Sequence, residues 1–426
     1  MTTTSSVPLS ASDFPLGVDL TDPRTFADGI PHDVFARLRR EAPVVWHPEH
    51  PDGPGQGAGF WSVTRHADVL EVNRDAQAMS SARAGNMIFD TQGPGDPDAD
   101  RMLVHMDPPQ HTRFRLLVNR GFTPRMIGKL EDFMVEVTER TLDRVVDRGE
   151  ADFVEDIAAE LPIQVITQMM GVGEADRPKV FELSNRLIGF DDPELGGDDA
   201  DSANQAGFEM YELANRLGKQ KRAALDAGEQ PGDIASVLLE AEVDGERLSE
   251  LEYDMFFLLL NVAGNETTRT AIAQGTLAFI DHPEQWERLR DDRSLLPTAV
   301  DEILRYSTPI MNFRRTVMGD GEIGGQAVRD GDKVVIWYAS ANFDDAVFAD
   351  PLTFDVGRTP NEHVTFGGGG PHFCLGANLA RLELRVMFDH LLDRLPLPEL
   401  AGPVDRLHSN FNHGLKRMPV RWKVAS

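Results

Sequence analysis

The spacing of hydrophobic residues predicts that the middle of the chain is almost entirely helical. Apolar positions three and four residues apart first appear in VFARLRREAP, and Pro43 ends this helix. The same periodicity runs from Pro108 to about Leu289 and returns around residues 295–306 and 376–394. It is interrupted at residues 121–124, 149, 171–173, 191–199 and 228–232. We therefore expect a series of helices joined by short connections.

Short β-strands are predicted at both ends of this helical region. Residues 44–46 and 60–63 flank the turn HPEHPDGPGQG, and KVVIWYAS forms a third strand-like run. Residues 73–101 are irregular apart from Met87, Ile88 and Phe89, which is typical of a functional lid. No linker separates a second domain. The pattern indicates a flexible tail at residues 1–15 and one mainly α domain with small β-sheets at residues 16–426.

Composition narrows the possible partners and location. The chain has 426 residues, of which 41% are hydrophobic, so it can form a large buried core. Asp and Glu outnumber Lys and Arg by 70 to 42, and the net charge of -28 disfavours a nucleic-acid partner. No apolar run reaches the roughly 18 residues of a membrane span, and the N-terminus lacks a signal-peptide pattern. We expect a cytoplasmic protein.

Cys374 is the only cysteine, which excludes an intramolecular disulfide and a cysteine-rich zinc or iron–sulfur site. It follows a glycine run in FGGGGPHFCLG, residues 366–376, and precedes an amphipathic helix. The glycines allow the backbone to approach a flat ligand, and a helix N-terminus favours a thiolate. A lone cysteine is more often a small buried apolar residue, and this loop lacks the ending of a phosphate loop. The interpretation of Cys374 as a thiolate beside a flat ligand therefore depends on the combination of loop, cysteine and helix.

An acid and an alcohol adjoin in the segment VAGNETTRT, residues 262–270, inside a long apolar helix. Glu266 and Thr267 are suited to passing protons to a reacting group, and the small residues before them leave room for a ligand. The alternative is that the threonine bonds back to a helical carbonyl while the glutamate ends at the surface.

Two pairs of charged residues share a helical face. Glu302 and Arg305 stand three apart and can form an ion pair, which contributes little if it is exposed. His111 and Arg115 stand four apart, so two cations project the same way. An anionic group between them would relieve their repulsion through charge-assisted hydrogen bonds.

In this order and spacing, the four motifs resemble those of the cytochrome P-450 superfamily over about residues 34–422. The resemblance implies a mainly α, single-domain cytochrome P-450 fold shaped as a triangular prism. It has a long central distal helix, and the cysteine loop precedes the proximal helix. The phrases VAGNETTR, FGGGGPHFCLGANLAR and HGLKRMPVRW are most similar to the actinobacterial branch that oxidises sterol side chains and methyl-branched lipids.

The resemblance assigns the cysteine loop to haem binding. It makes Cys374 the thiolate ligand of the iron of haem b (iron protoporphyrin IX), where its charge favours cleavage of O2. Phe366 lies one residue further from the cysteine than the commonest spacing and would pack on the thiolate side. Gly368, Gly370, Gly376 and Ala380 occupy other places of the pattern. The haem propionates would be held by His111, Arg115, Arg315 and His372.

On the distal side, the resemblance makes Ala263 and Gly264 the oxygen groove, Glu266 the acid and Thr267 the alcohol. A buried structural network that holds the cysteine loop is implied for Glu302, Arg305 and Arg358. The substrate pocket would be lined by apolar residues: Met87, Ile88, Phe89, Leu187, Ile188, Phe257, Leu260, Val262, Ile310, Met311, Phe313 and Phe411.

The implied activity is a monooxygenase that inserts one atom of O2 into a C–H bond of a hydrophobic small molecule, with a sterol side chain or branched lipid favoured. No flavin or nicotinamide motif is present, so electrons from NAD(P)H would arrive through a ferredoxin reductase and a separate ferredoxin. An acidic ferredoxin would dock on a basic patch formed by Arg113, Arg120, Arg381 and Arg385. We expect a monomer.

Several alternatives remain. The chain can be a hydroxylase of a terpenoid or natural-product intermediate, or a haem protein that binds without catalysis. A peroxygenase is disfavoured because Glu266 and Thr267 supply a proton relay. A cysteine-nucleophile hydrolase would need a histidine base beside Cys374.

Overall fold

Helices dominate this computed structural model, which describes residues 9–50, 57–89, 102–190, 192–195, 201–229, 233–243 and 245–424. A π-helical turn at Phe153–Ala158 and several short 3-10 turns accompany the α-helices. The α-helices are α1 His32–Glu41, α2 His66–Arg74, α3 Gln110–Val118, α4 Pro124–Gly128, α5 Glu131–Val145, α6 Glu160–Met169, α7 Arg177–Ile188, α8 Asp201–Asp226, α9 Ile234–Glu240, α10 Glu250–Asp281, α11 Pro283–Asp291, α12 Leu296–Ser307, α13 Tyr338–Ala341 and α14 Ala377–Arg394.

The strands are short and form small sheets. They are β1 Val44–His47, β2 Phe60–Val63, β3 Met79–Ser80, β4 Glu150–Asp152, β5 Glu242–Val243, β6 Glu246–Arg247, β7 Asn312–Val317, β8 Gly321–Ile323, β9 Gln326–Val328, β10 Lys333–Trp337, β11 Glu399–Leu400, β12 Asp405–Arg406, β13 Leu415–Arg417 and β14 Pro419–Arg421.

The chain divides into two compact units, and the first comprises residues 1–111, 310–352 and 362–373. Its five-stranded sheet has the order β1-β2-β10-β7-β3, in which β10 pairs parallel to β2 and antiparallel to β7. β-branched residues on these strands pack against α2 in a buried core that includes Val63, Val69, Val334 and Ile336. The sheet and α2 therefore share one buried core in the unit that also contains residues 362–373.

The second unit comprises residues 112–309, 353–361 and 374–426 and is built around α10. This helix begins with a capping box between Ser249 and Glu252 and contacts α6, α7, α8, α12 and α14. A Cβ atom at Gly275 would press on Ile303 and on the ring of Phe388, so glycine permits the close approach of these helices. Because neighbours surround it, α10 is apolar on most of its faces.

An ionic cluster in the second unit joins the segment after α7 to the hairpin β12–β13. We define this ionic cluster as Asp192, Glu194, Asp405, Lys416 and Arg417. The Lys416 Nζ lies 3.2 Å from Asp192 Oδ2 and 3.0 Å from Glu194 Oε2, and Arg417 pairs with Glu194 and Asp405. Asp192 is 1% exposed, and its carboxylate also accepts a bond from the backbone N–H of His408.

The prediction of a mainly α chain with small sheets is confirmed, and α1, α10, α12 and α14 occur where the periodicity placed them. The strand expected through KVVIWYAS is wrong after Trp337, because the next four residues turn into α13. The sequence also gave no indication of α2, β4 or the hairpin β5–β6. Within the described ranges, no helix is long and apolar enough to cross a membrane. The single-domain boundaries at residues 16–426 stay a prediction.

Candidate active site

The glycine run before Cys374 adopts backbone conformations that other residues rarely enter. Gly367, Gly368, Gly369 and Gly370 have φ angles of 92°, 64°, 115° and 79°. A Cβ at Gly368 would collide with Leu70, and one at Gly370 would collide with the backbone of Asn73. Arg74 donates to the carbonyl of Gly368 at 3.0 Å. The loop is therefore held closely against α2 within the first unit.

Cys374 stands just before α14 and has an exposed side chain. Desolvation by the surrounding protein raises the pKa of its thiol, against the opposing effects of the Gly376 backbone N–H and the charges of Arg115 and Arg381. The expectation that the loop and helix terminus favour a thiolate stays a prediction. A cation bound to the sulfur would reverse this balance, since a coordinating thiol is deprotonated. Within the described ranges, no group of three or more His, Cys, Asp or Glu residues is arranged to hold a metal ion.

Arg315 is a buried cation that suits an anionic ligand. It lies on β7, is 4% exposed, and donates to the Arg314 carbonyl at 2.7 Å and to Asn73 Oδ1 at 3.3 Å. Desolvation lowers the pKa of its guanidinium, while Tyr338 and Asp107 raise it. In the described part of the chain, no carboxylate lies within ion-pair distance of it. A buried guanidinium of this kind fits a carboxylate such as a haem propionate.

The two predicted imidazoles come together in the first unit. The rings of His111 and His372 have centroids 4.3 Å apart, and His111 is 2% exposed. Arg115 lies one turn after His111 on α3; desolvation lowers the pKa of its guanidinium, and Cys374 raises it. Both residues of the predicted propionate-binding pair thus occur on one helix, as the spacing predicted.

Phe366 and Gly376 border the cysteine at either end of its loop. Phe366 is 8% exposed, and its ring contacts His363 and Phe373 at centroid distances of 5.7 and 6.3 Å. A Cβ at Gly376 would meet no atom of the described residues within 4 Å. Gly376 thus leaves open space, in contrast to Gly368 and Gly370.

Glu266 and Thr267 differ in their surroundings although they are adjacent on α10. The Thr267 hydroxyl donates to the carbonyl of Ala263 at 2.7 Å, which is the helical back-bond weighed above as the alternative. Glu266 does not end at the surface, because it is 1% exposed and forms an ion pair with Arg269. Arg269 also donates to Asn185 Oδ1 of α7 at 2.9 Å. Sequence reasoning missed both Arg269 and Asn185.

The two residues expected to form the oxygen groove are placed differently. Ala263 is exposed, whereas a Cβ at Gly264 would lie 3.1 Å from the Ile166 side chain of α6. The structure gives Gly264 a packing role between two helices. The assignment of Ala263 and Gly264 to an oxygen groove stays a prediction.

Glu302, Arg305 and Arg358 are brought together in the second unit. Arg305 forms two bonds of 2.8 Å to the Glu302 carboxylate, and both side chains are fully buried. Arg358 donates to the same carboxylate at 3.0 and 3.1 Å. Asn361, which the sequence did not indicate, adds a bond of 3.1 Å. This network ties α12 to residues 353–361.

The apolar residues expected to line the pocket are divided between the units. Phe257 and Met311 are 0% and 1% exposed, and the assignment of these and the other residues to a pocket stays a prediction. Ile88 and Leu260 are also buried, at 4% and 8%. In the first unit, the partly exposed members are Met87, Phe89, Ile310 and Phe313. In the second unit they are Leu187, Ile188, Val262 and Phe411.

The predicted basic patch is partly neutralised by carboxylates. Arg113 pairs with Glu246 at 2.7 Å. Arg381 pairs with Asp301 at 2.8 Å, and Arg385 pairs with Glu131 at 2.7 Å. Arg120 donates instead to a backbone carbonyl. Near α3 and α4, three exposed cations have no carboxylate partner among the described residues: Arg120 after α3, Arg125 on α4 and Lys129 directly after α4.

Comparison with known proteins agrees with this arrangement. The profile of the family described as cytochrome P450 matches residues 195–424. A steroid C26-monooxygenase from Rhodococcus jostii is 42% identical over 97% of this chain and 86% of its own. A methyl-branched lipid omega-hydroxylase from Mycobacterium tuberculosis is 42% identical over 93% of this chain and 92% of its own. A Mycobacterium marinum cytochrome P450 solved in complex with pseudoionone is 38% identical, with a TM-score of 0.88 over 98% of this chain and 100% of that chain.

The family match and these relatives place this chain, with its one cysteine between a glycine loop and a helix, among the haem-dependent oxygenases. The chain is a member of the cytochrome P450 family, and it is a monooxygenase. The likeness to the sterol- and branched-lipid-oxidising branch is confirmed by the relatives described above.

Proposed function

We propose that this monooxygenase hydroxylates a terminal methyl group on a sterol side chain or a methyl-branched lipid. The observation that carries the proposal is the 42% identity, over almost the whole chain, to a steroid C26-monooxygenase. The methyl-branched lipid omega-hydroxylase at the same identity supports the same chemistry. The partly exposed pocket residues are all apolar, which suits a hydrophobic guest.

The residues present fit haem b. Cys374 would bind the iron, and the buried Arg315 with His111, Arg115 and His372 would hold the propionates. Gly376 leaves space, and Phe366 would cover the thiolate side. When bound, the haem supplies activation of O2 and transfer of one oxygen atom to carbon.

Glu266 and Thr267 would deliver the protons that reduction of O2 requires. The Thr267 hydroxyl is partly exposed and already ordered by the Ala263 carbonyl, so its oxygen can accept a hydrogen bond from a donor beside it. Glu266 would accept a proton from solvent and pass it on. Replacing Glu266 by Gln keeps the shape and removes the acid, so product per NAD(P)H consumed should fall while peroxide release rises. Unchanged coupling would reject the relay.

Electrons would come from an acidic ferredoxin and its reductase. The chain is strongly acidic as a whole, so the local cations Arg120, Arg125 and Lys129 would orient an acidic partner toward α3 and α4. We further propose that the protein acts as a cytoplasmic monomer.

Spectral titration followed by product analysis tests the substrate. Sterols, branched fatty acids, terpenoids and macrolide-like compounds should be added to the purified holoprotein, and the shift of the haem spectrum recorded. Sterols or branched lipids should give the largest shift and, with ferredoxin, reductase and NAD(P)H, a terminal alcohol. A shift and product with a polar polyketide alone would overturn the substrate proposal and leave the enzyme class intact.

A second candidate is hydroxylation of a terpenoid or other natural-product intermediate, which the relative solved with pseudoionone favours. The same titration separates the two. Binding without turnover under any of these conditions would instead favour a haem protein that does not catalyse oxidation.

A further inference from the structure

The segment that follows α7 is bonded back onto the end of that helix. The N–H of Gly189 donates to the Asn185 carbonyl at 2.9 Å, which closes the last turn. The N–H of Asp192 then donates to the Gly189 carbonyl at 2.9 Å. A Cβ at Gly189 would collide with the side chain of Leu195, so the segment packs closely against its own start. Asp192 is therefore fixed relative to the end of α7.

The Asp192 carboxylate joins this segment to the loop between β12 and β13. Asp192 is 1% exposed, its Oδ2 accepts a bond of 2.9 Å from the backbone N–H of His408, and Lys416 Nζ lies 3.2 Å from the same oxygen. Its Oδ1 accepts from the N–H of Glu194 at 2.9 Å. Burial raises the pKa of Asp192, but these two N–H groups and Lys416 outweigh it, so the pKa lies below its usual value. Asp192 is thus a buried, charged carboxylate that connects two segments.

The loop that receives this bond, residues 407–414, is also attached to α10. Gln274 Nε2 of α10 donates to the His413 carbonyl at 2.8 Å. Inside the loop, Ser409 Oγ accepts a bond of 3.0 Å from the N–H of Phe411. Phe411 therefore stands in a loop that is bonded to α10 on one side and, through Asp192, to the end of α7 on the other.

Asp192 lies between two parts of the predicted pocket in the second unit. Leu187 and Ile188 stand in the last turn of α7, and Phe411 stands in the loop. All three are apolar and partly exposed. A helix end and a surface loop with no bond between them open locally at a low cost in free energy. The connection through Asp192 opposes such an opening.

We propose that Asp192 is a positioning residue that fixes the spacing of these two parts and makes the pocket favour a rigid ring system over a flexible chain. A pocket that is ordered before binding loses little entropy when a rigid guest of matching shape enters, whereas a flexible chain must itself be ordered. The inference rests on the proposed function, because it requires Leu187, Ile188 and Phe411 to face the guest. Of the two proposed classes of substrate, it selects the sterol over the methyl-branched lipid.

Asp192→Asn breaks the connection with almost no change in volume. An amide has one oxygen, which can keep the bond from the N–H of Glu194, and its NH2 group then faces the N–H of His408 and Lys416. In spectral titrations of the holoprotein, the dissociation constant for cholesterol should rise roughly tenfold, the scale of one hydrogen bond to a charged group. The constant for a methyl-branched fatty acid should change by less than about twofold, because a chain adapts to a wider pocket. Both constants refer to folded holoprotein, so a general loss of stability would not change their ratio.

Hydrogen exchange gives a second readout that needs no guest. The N–H of His408 is bonded to the Asp192 carboxylate, so it should exchange faster in Asp192→Asn, while the N–H groups inside α7 keep their rates. The carbon monoxide spectrum of each variant confirms that it binds haem.

Asp152→Asn is the matched control. Asp152 Oδ1 accepts from the N–H groups of Val154 at 2.9 Å and Met418 at 3.3 Å, so it also joins two segments, but neither contains a residue of the predicted pocket. This variant should leave both the ratio of dissociation constants and the exchange of the His408 N–H unchanged.

The same titrations separate failure of the inference from failure of the proposed function. If the unmodified protein binds neither cholesterol nor the branched fatty acid, the proposed function fails and the inference fails with it. If it binds both and Asp192→Asn leaves the ratio unchanged, the inference alone fails, even where the His408 N–H exchanges faster. Tighter binding of the fatty acid than of cholesterol by the unmodified protein, or an equal change of the ratio in Asp152→Asn, would also overturn it.

Discussion

Thr267 donates its hydroxyl hydrogen to the Ala263 carbonyl, so the hydroxyl is oriented before any ligand arrives. Thr267→Ala removes the hydroxyl and leaves the helix backbone intact. We expect NAD(P)H consumption to continue with peroxide release, and product formation to fall by about 100-fold or more, the usual scale of acid–base assistance. Parallel measurement of NAD(P)H, peroxide and product checks this. Thr267→Ser retains the hydroxyl and should keep most of the coupling, and a coupled alanine variant would contradict the role.

Cys374 is the proposed iron ligand, and its neighbours on either side cannot replace its sulfur. In Cys374→Ala, the reduced protein with carbon monoxide should lose the absorption band that is diagnostic of thiolate ligation. Phe373→Ala is the matched control, since Phe373 is an adjacent, 39% exposed side chain. Retention of the thiolate band in Cys374→Ala would identify a different ligand.

The sequence was sufficient to name residues whose roles depend on local spacing. His111 and Arg115, and Glu302 and Arg305, share helical faces because three- and four-residue spacings place side chains together. It was not sufficient for Arg269 or Asn185, because these two residues lie on different helices and are 84 residues apart in sequence. Nor could it show that desolvation outweighs the backbone N–H of Gly376 at Cys374.

At the scale of elements, α12 is held to residues 353–361 by charge rather than by apolar packing alone. Arg305→Met removes one partner from a buried carboxylate, so we expect a loss of about 3–5 kcal/mol in the free energy of unfolding. Denaturant unfolding measures this loss. Arg37→Met is the control, because Arg37 and Glu41 form an exposed pair in α1, and it should change stability by less than about 0.5 kcal/mol. Similar values for the two variants would contradict a buried network.

The ionic cluster that holds the segment after α7 should weaken in acid. Hydrogen bonds from Arg417 and Lys416 lower the pKa of Glu194 to about 2, below its unfolded value of about 4.3. A depressed folded pKa contributes stability that is present above the unfolded value and lost as pH falls toward the folded one.

Glu194→Gln should therefore be less stable than the unmodified protein at neutral pH, by under about 1 kcal/mol because the pair is partly exposed. The difference should shrink as pH falls from about 4.3 toward about 2. Denaturant unfolding at a series of pH values measures it. A difference that stays constant across this range would show that the carboxylate charge is not responsible.

Across the whole molecule, the net charge of -28 opposes an acidic partner everywhere except near local cations. Replacing Arg120, Arg125 and Lys129 by Gln should slow reduction by an acidic ferredoxin at low salt and reduce the dependence of the rate on salt. Arg385→Gln should have a smaller effect, because Glu131 already neutralises Arg385. Stopped-flow reduction at several salt concentrations measures both, and a rate independent of salt in the unmodified protein would remove electrostatic docking.

The sequence predicted the overall fold better than it predicted the short elements and the burial of individual residues. Long periodic segments such as α10 and α14 follow from apolar spacing over many turns, and their motifs carried the family resemblance. Strand β3 has only two residues, and α13 starts directly after β10, so their patterns are too short to interpret. Phe257 and Met311 are more deeply buried than the partly exposed residues of the predicted pocket, and hydrophobic periodicity does not report how deeply a given apolar residue is buried.

The glycine loop gives a way to outline the cofactor from tolerance to mutation alone. Positive φ angles disfavour side chains at residues 367–370, and protein atoms also obstruct a Cβ at Gly368 and Gly370, whereas no atom of the described residues lies within 4 Å of a Cβ at Gly376. In a saturation library selected for folded, haem-containing protein, intolerance at residues 367–370 is thus attributable to the polypeptide. Intolerance at Gly376 has no such source, and it would mark the edge of the bound group. Positions that do not tolerate substitution, although no protein atom obstructs a side chain there, would together outline the bound group.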